Sequence, residues 1–331
     1  MELPALQTKR TVIVRREEPT NPAYGKSPEN WDIKELLNNG IVCINKPKGP
    51  TSHQISGYVK DILGVSAAGH SGTLDPGVTG VLPIALGEGT KAVQALINAG
   101  KEYVCYMHIH KEISEEKIRN VCAKFVGDIM QLPPVKSAVK RQLRKRTIYY
   151  LDIIEIDGQD VLFRVGCQAG TYIRKLCSDI GAKLGCGAHM QQLIRTKAAT
   201  FSDKEMHSLQ ELTDAVHYLQ QGDESAIRKI VLPVTRALVH LPKVWVFDAT
   251  IDPITHGAPV AIPGISKLES DIKKGDMVAV LSLKDEFVCL ANAQMTSEEM
   301  QSQPKGIALT LARVYMKEGI YPKIEKTKTP A

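Results

Sequence analysis

The sequence predicts an α+β core followed by a small C-terminal β-barrel. Strand-like apolar runs such as residues 40–46 alternate with segments of helical periodicity at 52–63 and 114–126, a mixture typical of an α+β domain. From about residue 244 onward the chain contains short strand-like runs and glycine turns, as at 255–265, which indicate a small barrel. A length of 331 residues exceeds the usual size of one hydrophobic core, so two domains are expected.

The chain divides into four predicted units. Its first residues are polar and rich in turn formers, with one candidate strand at 11–15, which indicates an arm rather than a packed domain. Pro233 and Pro242 follow a helical pattern at 209–232, and the boundary between the two domains is placed there. The predicted units are an N-terminal arm at 1–30, a catalytic domain at 31–240, the barrel at 241–322 and a flexible tail at 323–331.

The helix predicted at 114–126 has a recognisable start. Ser114 stands directly before the residues with helical periodicity, and serine is a preferred N-cap. Glu115 and Glu116 then lie in the first turn, where the helix dipole stabilises acidic side chains. A helix is therefore expected to begin just after Ser114.

Composition and cysteine spacing exclude several classes of protein. Lysine and arginine exceed aspartate and glutamate by 42 to 36, an excess that permits a polyanionic partner without requiring one. The seven cysteines form no C-x-x-C pair, so we expect reduced thiols and no metal site. No segment reaches the roughly 18 apolar residues that span a bilayer, and the N-terminus lacks the features of a signal peptide. These features predict a cytoplasmic protein without a membrane partner.

A glycine-rich loop at 69–91 carries the strongest functional signal. Gly69, Gly72, Gly77 and Gly80 surround the dipeptide Asp75-Pro76, and an apolar strand follows directly. Dense glycines are tolerated where backbone turns tightly or approaches a ligand closely. Asp-Pro-Gly alone is more often a plain surface turn, but the whole string is much more specific than that turn.

This string resembles the active-site motif of the TruB and dyskerin branch of pseudouridine synthases, and similar blocks extend the resemblance from about residue 41 to 201. The further blocks lie at 44–54, 102–105, 167–176 and 187–201. The resemblance implies a pseudouridine synthase fold, which is a mixed, largely antiparallel sheet with flanking helices. It also implies an RNA modification enzyme that needs no cofactor.

The same resemblance assigns five residues to the catalytic site. It implies that Asp75 is the nucleophile and that Arg174 pairs with it and keeps it ionised. Tyr103 is expected to stack on the target base, His70 to support the flipped base, and Leu193 to form a pocket wall. A further hypothesis is that Tyr103 assists proton transfer from C2′. Outside this context a strand tyrosine is more often core, and a helical arginine more often forms a surface ion pair.

Basic residues supply the predicted RNA contacts. Six of them fall within the eleven positions from 136 to 146, after a pair of prolines, which suits a loop that contacts a phosphate backbone. Lys46 in the block at 44–54 is also assigned to RNA, as are His256 and Gly257 in the barrel, which resembles a PUA domain. The resemblance also implies that the N-terminal arm packs near this PUA domain. The basic residues of the loop are Lys136, Lys140, Arg141, Arg144, Lys145 and Arg146.

Within this branch the chain most resembles the archaeal, RNA-guided enzymes. That resemblance implies a guide H/ACA RNA, rRNA or tRNA substrates, small companion proteins and a kink-turn-binding protein as partners. A stand-alone enzyme acting on the tRNA T-loop is the alternative, and a non-catalytic RNA-binding scaffold is a third interpretation. The sequence leaves open whether the aspartate attacks C1′, attacks C6 or supports a glycal route.

Overall fold

The structure is a computed structural model that describes residues 2–133 and 140–323. Helices and strands alternate along most of the catalytic region, as the α+β prediction requires. The strands are β1 Val12–Val14, β2 Gly40–Lys46, β3 Ala68–His70, β4 Thr79–Leu86, β5 Lys101–Ile109, β6 Gly127–Gln131, β7 Arg144–Asp157, β8 Asp160–Cys167, β9 Ala188–Ala198, β10 Phe201–Ser202, β11 Val231–Pro233, β12 Lys243–Val246, β13 Val260–Ala261, β14 Ile265–Glu269, β15 Met277–Leu281, β16 Phe287–Ala293 and β17 Ile307–Val314. The α-helices are α1 Pro4–Gln7, α2 Ile33–Asn39, α3 Ser52–Leu63, α4 Val93–Ile97, α5 Glu115–Ala123, α6 Ile173–Leu184, α7 Leu209–Gln220, α8 Ile227–Ile230, α9 Asp248–Thr255 and α10 Ser297–Ser302.

One large sheet forms the centre of the catalytic domain. Its strands run in the order β11-β2-β4-β9-β5-β8-β7-β6, with β3 beside β4 and β10 beside β9. Among these strands of the described chain, β4 and β9 pair in parallel and the other neighbours pair antiparallel. The predicted mixed, largely antiparallel sheet is therefore confirmed.

Helices cover the sheet with two apolar clusters. Helices α5 and α6 pack on β5, β7, β8 and β9 around Met107, Phe163 and Ile180, which are fully buried. Helices α3 and α7 pack on β2 and β4 around Ile55 and Leu212. These helices stabilise the sheet, and the candidate site lies where α6 and the β3–β4 turn contact it.

Four of the described α-helices, α2, α3, α7 and α10, begin with a capping box. Thr51 begins α3 through a capping box, because its hydroxyl accepts the Gln54 N–H and the Gln54 side chain accepts the Thr51 N–H. Gly64 ends that helix in the left-handed conformation. Ser114 occupies the N-cap of α5 as predicted, but its hydroxyl makes no capping hydrogen bond.

A second sheet contains the C-terminal strands and the start of the chain. Its order is β1-β14-β12-β15-β16-β17-β13, around a core that includes Val280 and Leu309. Strand β1 pairs antiparallel with β14, so the segment predicted as an arm adds an edge strand to this sheet. Arg15 then donates to the carbonyls of Ile262 and Gln303.

The two sheets are joined through apolar contacts and polar bonds. A buried cluster combines Ala95 of the catalytic domain with Leu238, Trp245 and Phe287 near and within the second sheet. The Tyr315 hydroxyl also donates to Asn39 Oδ1 at 2.8 Å. The large sheet and the C-terminal sheet are therefore held in a defined relation.

Candidate active site

Asp75 lies in the turn between β3 and β4, at the edge of a cleft of about 550 Å³. Of the residues predicted as catalytic, Asp75, Tyr103, Arg174 and Leu193 all line this cleft. They come from four separate segments of the chain, so the fold brings them together although the sequence does not. His70 is not among the lining residues.

Gly80 allows the strand after the catalytic turn to approach β9. Its φ is +102°, in the region that favours glycine, and a Cβ here would lie 2.2 Å from the Arg195 carbonyl oxygen. Gly80 pairs with Arg195 in the parallel β4–β9 ladder. Any side chain at this position would push apart the two strands that carry the turn and the cleft wall.

Lys46 supports the catalytic turn from below and is fully buried. Its Nζ donates to the carbonyls of Pro47, Pro76 and Val78 at 2.9, 3.2 and 2.9 Å, which uses all three ammonium hydrogens. Burial lowers the pKa of Lys46, and the nearby Asp75 carboxylate acts in the opposite direction. The assignment of Lys46 as an RNA contact is therefore wrong, because no donor and no exposed surface remain for a phosphate.

Ser52 holds the residue next to Asp75 with two hydrogen bonds. Its Oγ accepts the Leu74 N–H at 2.8 Å and donates to the Leu74 carbonyl at 3.1 Å. Ser52 is fully buried in the first turn of α3. Helix α3 thus fixes the backbone from which the Asp75 side chain projects.

Arg174 forms an ion pair with Asp75 through Nη2 and Oδ2. It is the second residue of α6, directly after the Gly170–Tyr172 turn. The side chains are 54% and 56% exposed, so the pair is open to solvent and contributes little to folding stability. Its value is positional, because the Nη2–Oδ2 contact holds the Asp75 carboxylate at the edge of the cleft.

Tyr103 and Leu193 form the inner wall of the cleft, and Arg195 lies opposite Tyr103 on the neighbouring strand. Arg195 is 1% exposed and donates to the carbonyls of Val81 and Gly72, so it ties β9 to the catalytic turn. Burial lowers the pKa of Arg195. Burial likewise raises the pKa of Tyr103, against the effect of the Arg195 charge.

His70 ends β3 and contacts the catalytic turn through its ring. Its Nδ1 accepts the Gly72 N–H at 3.4 Å. Burial lowers the pKa of His70, and the positive charge of Arg195 acts in the same direction. A neutral ring is therefore expected near pH 7, and support of a flipped base by His70 stays a prediction.

Two lining residues near α4 were not identified from the sequence. Lys101 donates to the carbonyls of Leu96, Ile97 and Ala99 at the end of α4, and burial lowers its pKa to about 8. Ile97 is 42% exposed at the mouth of the cleft. Lys101 stands directly before the block at 102–105, and this proximity to Tyr103 is the one signal in the sequence that points to it.

Among the basic residues at 136–146, Arg146 contacts a residue that lines the cleft. Lys136 lies outside the described residues; Lys140, Arg141 and Lys145 are exposed. Arg146 Nε donates to the Gly170 carbonyl at 3.1 Å, beside the turn that precedes Arg174. Two more of these basic residues bond to other parts of the chain. Lys145 pairs with Asp128 at 2.7 Å, and Arg144 Nη2 donates to the Lys140 carbonyl at 3.5 Å.

His256 and Gly257 lie together at the end of α9, far along the chain from the cleft. A bond to the Asp252 carbonyl raises the pKa of His256, and Glu318 acts in the same direction. The His256 side chain is 53% exposed, and Gly257 has a φ of +94°. Neither residue lines the cleft that contains Asp75.

Within the described ranges, three or more histidine, cysteine, aspartate or glutamate side chains nowhere converge as a metal site. No described helix is long and apolar enough to cross a membrane.

Comparison with known families gives matches along most of the chain. Together with the fold, these matches define a pseudouridylate synthase. The chain belongs to the TruB family of pseudouridylate synthases. The N-terminal domain of that family matches residues 60–115 and 108–173, the tRNA pseudouridylate synthase B C-terminal domain matches 174–239, a PUA domain matches 242–315, and a DKCLD (NUC011) domain matches 1–56.

Similar proteins cover nearly all of the chain. A probable tRNA pseudouridine synthase B of Methanosarcina barkeri is 52% identical over 96% of this chain and 94% of its own. The corresponding protein of Thermococcus kodakarensis is 50% identical over 98% and 97%. The match to a chain from a Cbf5-Nop10-Gar1 complex has a TM-score of 0.93 at 48% identity over 98% and 99%. A chain from an H/ACA RNP bound to a substrate RNA containing 2′-deoxyuridine gives a TM-score of 0.90 at 46% identity over 98% and 99%.

Proposed function

We propose that this chain converts uridine to pseudouridine in RNA with Asp75 as the nucleophile, as the catalytic subunit of a particle whose guide RNA selects the uridine. The observation that carries the proposal is the ion pair between Asp75 and Arg174 at a cleft walled by Tyr103 and Leu193. Membership of the TruB family supports the reaction, and the likeness to chains of H/ACA particles supports the guided mode.

The reaction is an isomerisation in which every atom is retained. The N1–C1′ bond of uridine breaks, the base turns, and a C5–C1′ bond forms, while a proton leaves C5 and another is taken up at N1. There is no net oxidation and no group to import. The chain's own residues thus have to bind the base, orient it and stabilise charge at the sugar.

A uridine in a stacked helix does not reach Asp75, so it must be flipped into the cleft. Flipping costs a few kcal/mol, which the pocket has to offset. Stacking on the Tyr103 ring supplies about 1–3 kcal/mol, and Leu193 packs against the same base. Since the cleft is about 550 Å³ and lies within the range of small-molecule sites, it accommodates a nucleoside.

Asp75 is the one carboxylate that lines the described cleft, and Arg174 holds it in position. Attack at C1′, attack at C6 and a glycal route each require one carboxylate at this place. Because burial raises the pKa of Tyr103, its phenol stays protonated near pH 7 and acts as a donor rather than a base. In a glycal route Asp75 is then the better acceptor for the C2′ proton.

The RNA is held by surfaces outside the cleft. Arg146 and its exposed neighbours Lys140 and Arg141 are proposed to contact the substrate backbone. His256 and Gly257 are proposed to contact the guide RNA through the PUA domain. Because chains similar to this one occur with Nop10 and Gar1, small companions of that kind are proposed here too, together with a kink-turn-binding protein on the guide.

Asp75→Asn tests the catalytic assignment. We expect the variant to bind substrate RNA with wild-type affinity and to form no pseudouridine under single-turnover conditions. Asp61→Asn, on the exposed surface of α3, is the matched control and should retain full activity. Pseudouridine formation by Asp75→Asn would refute the nucleophile, and wild-type chain that binds RNA without converting it would favour the scaffold interpretation.

Stand-alone action on tRNA is the second candidate, because relatives such as that of Methanosarcina barkeri are named probable tRNA pseudouridine synthases. The chain should be incubated with a tRNA and, separately, with a guide RNA, its companions and a matched target. Conversion of the target only when its guide is present supports the guided mode. Efficient conversion of T-loop uridine by the chain alone would contradict the guided mode and support stand-alone action on tRNA.

A further inference from the structure

A row of polar contacts crosses the sheet directly behind the cleft wall. Its centre is Glu102 on β5, the residue just before Tyr103. Glu102 is 3% exposed, although a buried carboxylate is costly unless it is well bonded. Three donors from two other strands meet its oxygens: the Tyr150 hydroxyl at 2.5 Å, Thr196 Oγ1 at 2.8 Å and Lys197 Nζ at 3.1 Å.

Tyr150 reaches Glu102 by crossing an intervening strand. Gly166 of β8 pairs with Glu102 on one side and with Tyr150 of β7 on the other. A Cβ at Gly166 would lie 2.3 Å from Tyr150 Cζ, so only glycine lets the ring pass over β8. The contact therefore ties β7, β8 and β5 together at one level of the sheet.

On the other side, Glu102 binds a β-bulge. Glu102 pairs with Lys197 of β9, but the next residue, Tyr103, pairs with Arg195, so Thr196 is the extra residue. The Thr196 side chain bonds to Glu102. A β-bulge re-aims the side chains that follow it, and here those are Tyr103 and Arg195, which lie opposite each other at the cleft.

We infer that Glu102 is a positioning residue for pseudouridine formation: its carboxylate fixes the β5–β9 bulge that aims Tyr103 and Arg195 into the cleft. The inference rests on the proposed function for its assay. Glu102 itself does not line the cleft and touches no reacting atom.

The charge state of Glu102 fits this role. Burial raises the pKa of the Glu102 carboxyl, but the bonds from Tyr150, Thr196 and Lys197 more than offset burial, and the net direction is downward. Glu102 is therefore a carboxylate that accepts from three donors. The Glu102→Gln substitution keeps the shape of the side chain and one acceptor oxygen, whereas Glu102→Ala removes every contact that the carboxylate makes.

The experiment measures single-turnover pseudouridine formation and RNA affinity for Glu102→Ala, Glu102→Gln and Thr196→Val in the full chain with its guide RNA and companions. We expect Glu102→Ala to lower the rate by about 10- to 100-fold with substrate affinity changed less than about 3-fold, since misplacement of about 1 Å has effects of that size. Glu102→Gln should recover part of the rate, and Thr196→Val should reproduce part of the loss.

Glu286→Gln is the matched control. Glu286 is also buried, at 6% exposure, and accepts from a tyrosine hydroxyl, Tyr321, at 2.5 Å, but it lies directly before β16 of the C-terminal sheet. It should affect thermal unfolding as Glu102→Gln does while leaving the single-turnover rate unchanged. An equal loss of rate in both variants would overturn the inference, because general destabilisation would then explain it.

Two further outcomes are decisive. Wild-type rates in folded Glu102→Ala would overturn the positioning role while leaving Asp75 and the proposed function intact. An inactive wild-type complex would instead contradict the proposed function, and a crystal structure of Glu102→Ala would then decide the inference. An unchanged pairing of Tyr103 with Arg195 in that structure would overturn it, and a shifted register would support it.

Discussion

Asp75 and Arg174 form an ion pair across the cleft although 99 positions separate them in the chain. The carboxylate comes from the β3–β4 turn and the guanidinium from the start of α6. Asp75 is held in place by the two hydrogen bonds between Ser52 and the neighbouring Leu74. Arg174 is held in place by α6, of which it is the second residue. The geometry of the pair therefore depends on the two elements that carry the residues as well as on the contact between them.

Arg174→Lys should lower the rate of pseudouridine formation although it keeps the charge. A lysine ammonium lacks the planar fork that orients a carboxylate, so we expect a loss on the order of 10- to 100-fold, and a larger one for Arg174→Ala. Single-turnover rates with saturating RNA measure this. Arg119→Lys is the control, since Arg119 pairs with Glu115 on the exposed face of α5. Equal rates for Arg174→Lys and wild type would show that charge alone suffices.

Lys46→Met should destabilise the chain and lower its activity without changing the salt dependence of RNA binding. The methionine leaves the carbonyls of Pro47, Pro76 and Val78 without their buried donor, which typically costs about 1–3 kcal/mol. Urea unfolding measures the stability. Lys48→Met, at an exposed position two residues on, should change it by less than about 0.5 kcal/mol. A weaker salt dependence in Lys46→Met would restore Lys46 as a phosphate contact.

The burial of Lys46 is an example of a feature that the sequence alone does not predict. The loop around Asp75 can be identified from the sequence because its glycines, its aspartate and the following strand are contiguous. The structure also gives a steric reason why residue 80 is a glycine. A lysine in a basic turn resembles a solvated residue, and only the three carbonyls supplied by the fold make it internal. Local patterns do not carry such long-range pairings.

Two other features were hidden for the same reason. Arg195 links β9 to the catalytic turn through Val81 and Gly72, a role that its position in the sequence does not reveal. No local signal in the segment at 11–15 indicates that the first strand pairs with β14; that the arm packs beside the PUA domain is implied by the family resemblance alone. The residue types were readable from the sequence, but their partners required the fold.

Removing basic residues near the cleft should weaken RNA binding in a salt-dependent way. For Lys140→Ala with Arg141→Ala we expect the slope of log affinity against log salt to fall by about 0.7–0.9 for each phosphate that the variant no longer neutralises. Filter binding between low and high salt measures the slope. Lys229→Ala, on the exposed side of α8, is the control and should leave the slope unchanged. A slope unaffected by the double variant would contradict the role of this stretch.

His240 should make folding stability depend on pH below neutrality. It is 6% exposed in the segment that joins the two domains, and its Nε2 bonds the Ala95 carbonyl at 2.9 Å. Burial lowers the pKa of His240 from 6.5 to about 4, with Arg10, Lys101 and Lys243 acting in the same direction. The unfolded chain therefore binds a proton below pH 6.5 that the folded chain rejects until about pH 4.

It follows that the free energy of unfolding is highest above pH 6.5 and falls as the pH drops toward 4, by about 3 kcal/mol for this one group. His240→Gln keeps a donor for the Ala95 carbonyl but does not titrate, so its stability should vary less over that window. Urea unfolding at several pH values gives the difference between variant and wild type. His217→Gln, exposed on α7, should leave the profile unchanged. Parallel profiles for His240→Gln and wild type would show that the His240 ring is accessible to protons in the folded protein.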